Sequence, residues 1–441
     1  MQNTRLSRLF WISGVLLVML LHASLPSEAL TVSGTIQTAE RWTLADSPIQ
    51  ITGAVIIPQS VTVTIEPGVQ VHLAPEAVIT VKGQFDARGT TESPVVFSPL
   101  TTSRWGAISY DDTGTGILEH CLLHRGSYGE GSRIGVVSVY RNSAPVLIDS
   151  CTFTEWPDEF DAKAIQGYHS PRLTVRNCYF GEGANECVHG VNCPAMVEHN
   201  TFARRFDYRD AVDIGNTQNP GPIIRYNVFL GSEDDAIDLD TCDALVEGNL
   251  VMNCRGGSHD PIGISGDKDS RPLIINNIVY NCENGIAFKN GAKITVLNNT
   301  MIDCDRGIWM HQNPAHALVK NTIIWGKENQ TSIQLEPGST IDISYSIIRG
   351  NEIYPGTGNL NADPLFLDYA NQNFHLLPNS PAIDAGWWGE TIPPQDFEGN
   401  ARVNVRLHPY VGEGAPSIVD IGAFEYIPPI TRIPFWQTFE N

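Results

Sequence analysis

Six aspartates fall within a short stretch of the chain: Asp210, Asp213, Asp234, Asp235, Asp238 and Asp240, in the segments DAVDIGN (210–216) and EDDAIDLD (233–240). A third segment, IGISGDK (262–268), continues the pattern, and the three read as successive turns of one repeat. That register sets Asp210 beside Asp235 and Asp213 beside Asp238. Stacked residues of a parallel sheet lie about 4.8 Å apart. Carboxylates this close repel one another unless some are protonated or a cation lies among them. Calcium is the cation expected outside a cell, because it takes several hard oxygen ligands in irregular geometry. One Asp alone is more often a turn former. Turn formation does not require four in register on adjacent coils, so a calcium site is the expectation here.

A solenoid is needed to position these residues. Asn followed by a β-forming pair recurs at Asn177, Asn200, Asn227, Asn249, Asn277, Asn299 and Asn321, in steps of 23, 27, 22, 28, 22 and 22 residues. His120 and Ser150 extend the series upstream and Tyr345 downstream. A period of this length, in short β-branched segments bounded by Gly, Asn and Asp, is that of stacked strands. The predicted fold is all-β, one right-handed parallel β-helix of roughly ten to twelve coils with a cap at each end. The seven Asn are expected to form a single inward column, each bonding the turn backbone of a neighbouring coil.

A second register runs through Ala164-Ile165, Cys187-Val188, Ala211-Val212, Ala236-Ile237, Gly263-Ile264, Gly285-Ile286 and Gly307-Ile308. With the Ile and Val inward, period-two alternation points the next residue outward. That outward column reads Gln166, His189, Asp213, Asp238, Ser265, Ala287, Trp309, and two residues on it reads Tyr168, Val191, Gly215, Asp240, Asp267, Lys289, His311. Three residues before the first column stand Lys163, Glu186, Asp210, Asp235, Ile262, Asn284 and Arg306. One face thus passes from mixed, through acidic, to basic and aromatic. A ligand groove accounts for such a change, with His189, Arg306, Trp309 and His311 as its substrate-binding side chains.

The boundaries follow from composition. Residues 1–29 read as a secretory signal peptide, with Arg5 and Arg8 before an apolar run and a small-x-small site at Ser27-Glu28-Ala29. Residues 30–99 alternate strictly and read as the N-terminal cap and first coils, residues 100–350 as the solenoid, and 351–441 as a C-terminal cap module and tail. No second apolar run is long enough to span a bilayer, so no integral span is expected. The formal charge of −21 argues against nucleic acid and anionic membranes as partners. An acidic secreted protein that handles an anionic polymer needs cations between the two. Nine Cys cannot all pair internally, and packing as small buried groups is their expected role. The spacing leaves a Cys187–Cys193 bond undecided. A monomer, secreted or held at the cell surface or in the periplasm, is expected.

The pattern D-x(23)-DD-x(2)-D at Asp210, Asp234, Asp235 and Asp238, followed by a Lys, resembles polysaccharide lyase family 9 among the pectate lyase-like β-helices. The resemblance implies calcium held by those four Asp; in the register, Asp213 completes a square with Asp210, Asp235 and Asp238, and Asp234 and Asp240 stand at its edge. It also implies a Lys that removes the proton alpha to a uronate carboxyl, and an anionic polysaccharide as substrate. Lys268 is the first choice for that base and Lys289 the second. Asp267 and Asp269 flank Lys268 and stabilise its ammonium. A rival resemblance, of Asp213, Asp234, Asp235 and His259 to glycoside hydrolase family 28, implies hydrolysis by paired carboxylates. A third reading is a non-catalytic carbohydrate-binding or surface structural β-helix whose calcium only staples coils, since fold does not imply function.

Overall fold

The computed structural model describes residues 29–127, 134–156, 162–183, 185–206, 209–258, 260–389, 391–402 and 419–427. The expected signal segment, His259 and most of the tail lie outside the described residues. A coil consists of three short strands separated by turns. One coil is Val212–Thr217, Ile223–Arg225 and Val228–Phe229, and Ile237–Cys242 begins the next. One face is a 13-stranded parallel sheet running from Glu40–Trp42 to Thr340–Ser344, and the other two faces form one continuous larger sheet. Two 3-10 turns, Leu44–Asp46 and Tyr369–Asn371, are the only helix among the described residues. None is long and apolar enough to cross a membrane. The predicted parallel β-helix is therefore the observed fold.

Strand alternation builds the core. Ile165, Val188, Val212, Ile237, Ile264, Ile286 and Ile308 occupy consecutive registers and are all buried. Phe153, Phe180, Phe202 and Phe229 stack face to face with centroids 5.1, 4.8 and 4.6 Å apart. This is the spacing the strands impose.

The Asn column is shorter than expected and shifted at both ends. Asn200, Asn227, Asn249, Asn277 and Asn299 form a true ladder. The Nδ2 of each of the first four donates to Oδ1 of the next, at 3.0, 2.9, 3.0 and 3.0 Å. Each acceptor also takes the backbone N–H of the residue one coil earlier, as in Asn227 N to Asn249 Oδ1 at 3.0 Å. Asn177 and Asn321 do not belong to it. They sit one residue earlier, in the left-handed turn position, with φ of 54° and 52°. His120, Ser150, His199, Tyr226, Asn276, Asn298 and Tyr345 share that conformation. The ladder position upstream is held by Cys121, Cys151 and Cys178, and downstream by Thr322 and Ser346. Asn favours both the left-handed turn and the buried rung, so an Asn at either of two adjacent positions gives the same sequence signal. All nine Cys are buried and unpaired, Cys187 and Cys193 included.

The C-terminal module closes the last coil and also braces the side of the solenoid. Asn359 Oδ1 accepts the N–H of Ser346 at 3.1 Å and so ends the ladder. The chain then turns back. Phe366, Phe374, Leu376, Ile383, Phe397, Ile421 and Phe424 pack on Val228, Leu250, Ile278, Ile302, Ile323 and Ile347, which belong to successive coils. Arg402 is buried against Glu425 at 3.0 Å and donates to Asn276 Oδ1 at 2.8 Å.

Candidate functional site

The strands Val188–Val191, Val212–Thr217, Ile237–Cys242, Ile262–Asp267, Asn284–Lys289 and Arg306–His311 lie side by side. Their register places Gln166, His189, Asp213, Asp238, Ser265, Ala287 and Trp309 in one row. Gly215, Asp240 and Asp267 follow in the next row, where Lys289 faces His311.

The acidic corner is assembled as its spacing predicts. Asp210 Oδ1 accepts the N–H of Asp235, and Asp235 Oδ1 accepts the N–H of Ile262, each at 3.0 Å. Asp210, Asp234 and Asp235 each place a carboxylate oxygen within 4.8 Å of the others. Ser265 Oγ lies 2.5 Å from Asp235 Oδ2 and 2.9 Å from Asp238 Oδ1. A hydroxyl has one hydrogen to donate. It can donate to only one of the two carboxylates, so the other contact calls for a carboxyl proton or a cation. The electrostatics agree. Burial and the Asp238 and Asp234 charges push Asp235 well above the usual carboxylate range. Burial and the Asp235 charge do the same to Asp210. Burial, with Asp213 and Asp240 beside it, raises Asp238 to about 7. A set of convergent carboxylate oxygens with these raised affinities for positive charge could hold a hard metal cation.

Next to this corner lies a second cluster. Lys163 and Glu186 form a fully buried ion pair at 2.6 Å. His189 Nδ1 sits 2.9 Å from Glu186 Oε2 and 3.0 Å from Asp213 Oδ2. Burial disfavours the imidazolium, but contacts with Asp213 and Glu186 outweigh it and raise His189 to about 9. Burial likewise raises Glu186, and the partners His189 and Lys163 outweigh it and hold the carboxyl down to about 2. His189, an expected substrate-binding residue, is placed as an internal cation that neutralises Asp213. Glu186, Lys163 and Ser265 are members of the site that chemical motifs alone do not single out, although all three stand in the outward columns.

The two candidate bases differ. Lys268 follows the strand at φ 49°, its side chain is 64% exposed, and its Nζ is 2.7 Å from Asp240 Oδ2. The hydrogen bond and charge of Asp240 raise its pKa. Lys268 is therefore held as an ammonium in this arrangement. Lys289 is half-buried and has no ion-pair partner among the described residues. Its charge acts on Asp238 and His311 from the same groove face. Beyond it, Trp309 stacks on His311 at 3.8 Å, and Arg306 lies over the Trp309 ring at 4.3 Å. Arg306 also reaches Asp260 at 3.6 Å.

Residues 210–363 match the family model described as Right handed beta helix region. No curated protein sequence matches the chain. Among solved structures the chain is similar to pectate lyase Pel9A, with 14% identity over 84% of this chain and 88% of that one and a TM-score of 0.33. It is similar to the periplasmic alginate epimerase AlgG, with 10% identity over 67% and 84% of the two chains and a TM-score of 0.34. It is also similar to a mannuronic acid-specific polysaccharide family 6 lyase from human gut microbiota, with 11% identity over 75% and 92% and a TM-score of 0.35. The strand register and the matched segment together make this chain a right-handed parallel β-helix protein.

Proposed function

We propose that this protein is a carbohydrate-active β-helix protein that binds calcium at Asp210, Asp234, Asp235 and Asp238 and cleaves a uronate-containing polysaccharide by β-elimination. The observation that carries the reading is the Ser265 hydroxyl shared between Asp235 and Asp238, two carboxylates that converge where a cation would serve both. Calcium held by these carboxylates supplies charge neutralisation of a bound uronate carboxylate, which acidifies the adjacent C–H. Lys289 takes that proton in this proposal, because Lys268 is held as an ammonium by Asp240. The electron pair of the broken C–H bond forms the ring C=C. The glycosidic C–O bond to the next sugar breaks, and the leaving oxygen takes up a proton. Lys268 positions Asp240, and Arg306, lying over the buried Trp309 ring, offers a cationic group to the polymer further along the groove. An assay of ultraviolet-absorbing unsaturated products over a panel of uronate polymers tests this, with chelator and the Asp235→Asn variant as controls. Calcium-dependent absorbance is expected. Cleavage that survives chelation and yields no absorbance points instead to carboxylate-driven hydrolysis.

One observation favours a second, non-catalytic reading. Asp210 and Asp235 each accept a backbone N–H from the following coil, so a cation here also staples coils together. Calcium-raised stability with no cleavage of any polymer selects that reading.

A further inference from the structure

The acidic groove occupies one corner of the coil, and a cavity of about 480 Å³ opens at another. It lies between the left-handed turn position of the solenoid, at His199, Tyr226 and Gly248, and the C-terminal segment around Pro393–Gly399. Its size is that of an ordinary small-ligand pocket. Its walls are fixed before any ligand arrives. Asn276 donates to the Gln395 carbonyl at 2.9 Å, which ties the segment to the solenoid. The Asp396 carboxylate accepts the N–H groups of Glu398, Asn400 and Glu425 and sets the turn that forms the far wall.

The chemistry of the lining is specific. The Tyr226 and His199 rings stack at 5.2 Å with 27° between planes, and both residues are exposed. Tyr226 owes its place to Gly248, where a Cβ would meet the ring at 2.6 Å. Beside the rings, charges run Glu198, Arg225, Glu247 in successive coils. Arg225 is committed to Glu198 at 2.7 Å. The half-buried Glu247 side chain is left without a hydrogen-bond or ion-pair partner among the described residues. Burial raises its pKa. An aromatic surface flanked by an unengaged acceptor is suited to a sugar ring, whose C–H face packs on the aromatics while its hydroxyls donate outward. Glu247 and Glu398 disfavour an anionic ligand.

We propose that this cavity is a saccharide-binding site for an uncharged sugar residue, separate from the acidic groove. The protein would then hold two glycan sites of opposite preference, one for anionic polymer through calcium and one for neutral sugar without it.

The test is saturation-transfer NMR and titration calorimetry on the full chain, with neutral disaccharides (lactose, cellobiose, diacetylchitobiose), glucosamine and digalacturonate, all in chelator. Binding of a neutral disaccharide is expected, weakened about tenfold by Tyr226→Ala and by Glu247→Ala, and unchanged in Lys289→Ala. Tyr226→Phe, which keeps the ring, should retain binding and so controls for folding. No neutral disaccharide binding up to roughly 10 mM overturns the proposal. So does binding that Tyr226→Ala and Glu247→Ala leave intact. Preference for glucosamine or digalacturonate overturns the assignment of an uncharged ligand. Because the readout is binding without calcium, failure of the lyase reading leaves this result unaffected, and the reverse also holds.

Discussion

Stripped of divalent cations, the folded protein should lose stability as the pH rises from about 4 to about 7, where many proteins approach their maximum. The Asp238 carboxyl is raised from 3.8 to about 7 in the fold. In that window the native state holds a proton that the unfolded chain has released. The contribution is therefore fully present below 3.8 and is lost as the pH passes through about 7. A shift of about three units at about 1.4 kcal/mol each gives a loss of about 4 kcal/mol, to which Asp210 and Asp235 add in the same direction. Calcium at about a hundredfold excess over its Kd returns about 3 kcal/mol. Calcium should therefore offset a large part of the loss near neutral pH and leave the calcium-loaded protein with a shallower profile. Thermal melts at about pH 5 and about pH 8, each with chelator and with calcium, read this directly. Asp238→Asn, which keeps the shape and removes the charge, should make the chelator curve less steep. Calorimetry in buffers of different ionisation enthalpy should show proton release on calcium binding near pH 6. Equal melting temperatures at both pH values in chelator would refute the assignment of protons to this corner. No calcium shift near pH 8 would remove the cation site itself.

Lys289→Ala should lower turnover by about a hundredfold or more while leaving the melting temperature and calcium binding close to wild type, and steady-state kinetics on the responsive polymer decides it. Lys268→Ala should change turnover less than Lys289→Ala in the same assay, because its ammonium already belongs to Asp240. Asn249→Ala removes the acceptor for both the N–H and the side-chain amide of Asn227, so urea denaturation should show a loss of about 2–4 kcal/mol. His189 should stabilise the fold below about 6.5, with that contribution lost as the pH rises through about 9, and His189→Gln should remove this alkaline limb from a pH–stability profile.

Most of the solenoid was legible in the sequence because its signal is periodic. Every coil repeats the same demand, and seven inward Ile or Val residues at matched offsets fix the register of the groove face. The acidic corner followed from that register. The Asn column was legible only to within one residue, because the turn and the rung are neighbours that accept the same side chain. Asn177 and Asn321 show this. The relative merit of Lys268 and Lys289 was not legible, since it depends on Asp240 lying 2.7 Å from one amine. The cavity beside Tyr226 was not legible either. It lies between Tyr226 and the distant segment around Phe397, a juxtaposition that no period announces.

The packing of the C-terminal module along the coils from Val228 to Ile347 has a mechanical consequence. A bare solenoid is a one-dimensional lattice in which each coil touches only its neighbours, so it can fray from an end one coil at a time. A strap laid across several coils removes that freedom. Those coils must open together or not at all, and hydrogen exchange there should follow a single slow cooperative opening. The coils before Asn200 lie outside the strap and remain a lattice of nearest neighbours. Pulled from its two ends, such a molecule should shed its early coils in small steps and then yield the strapped half, groove included, in one large event.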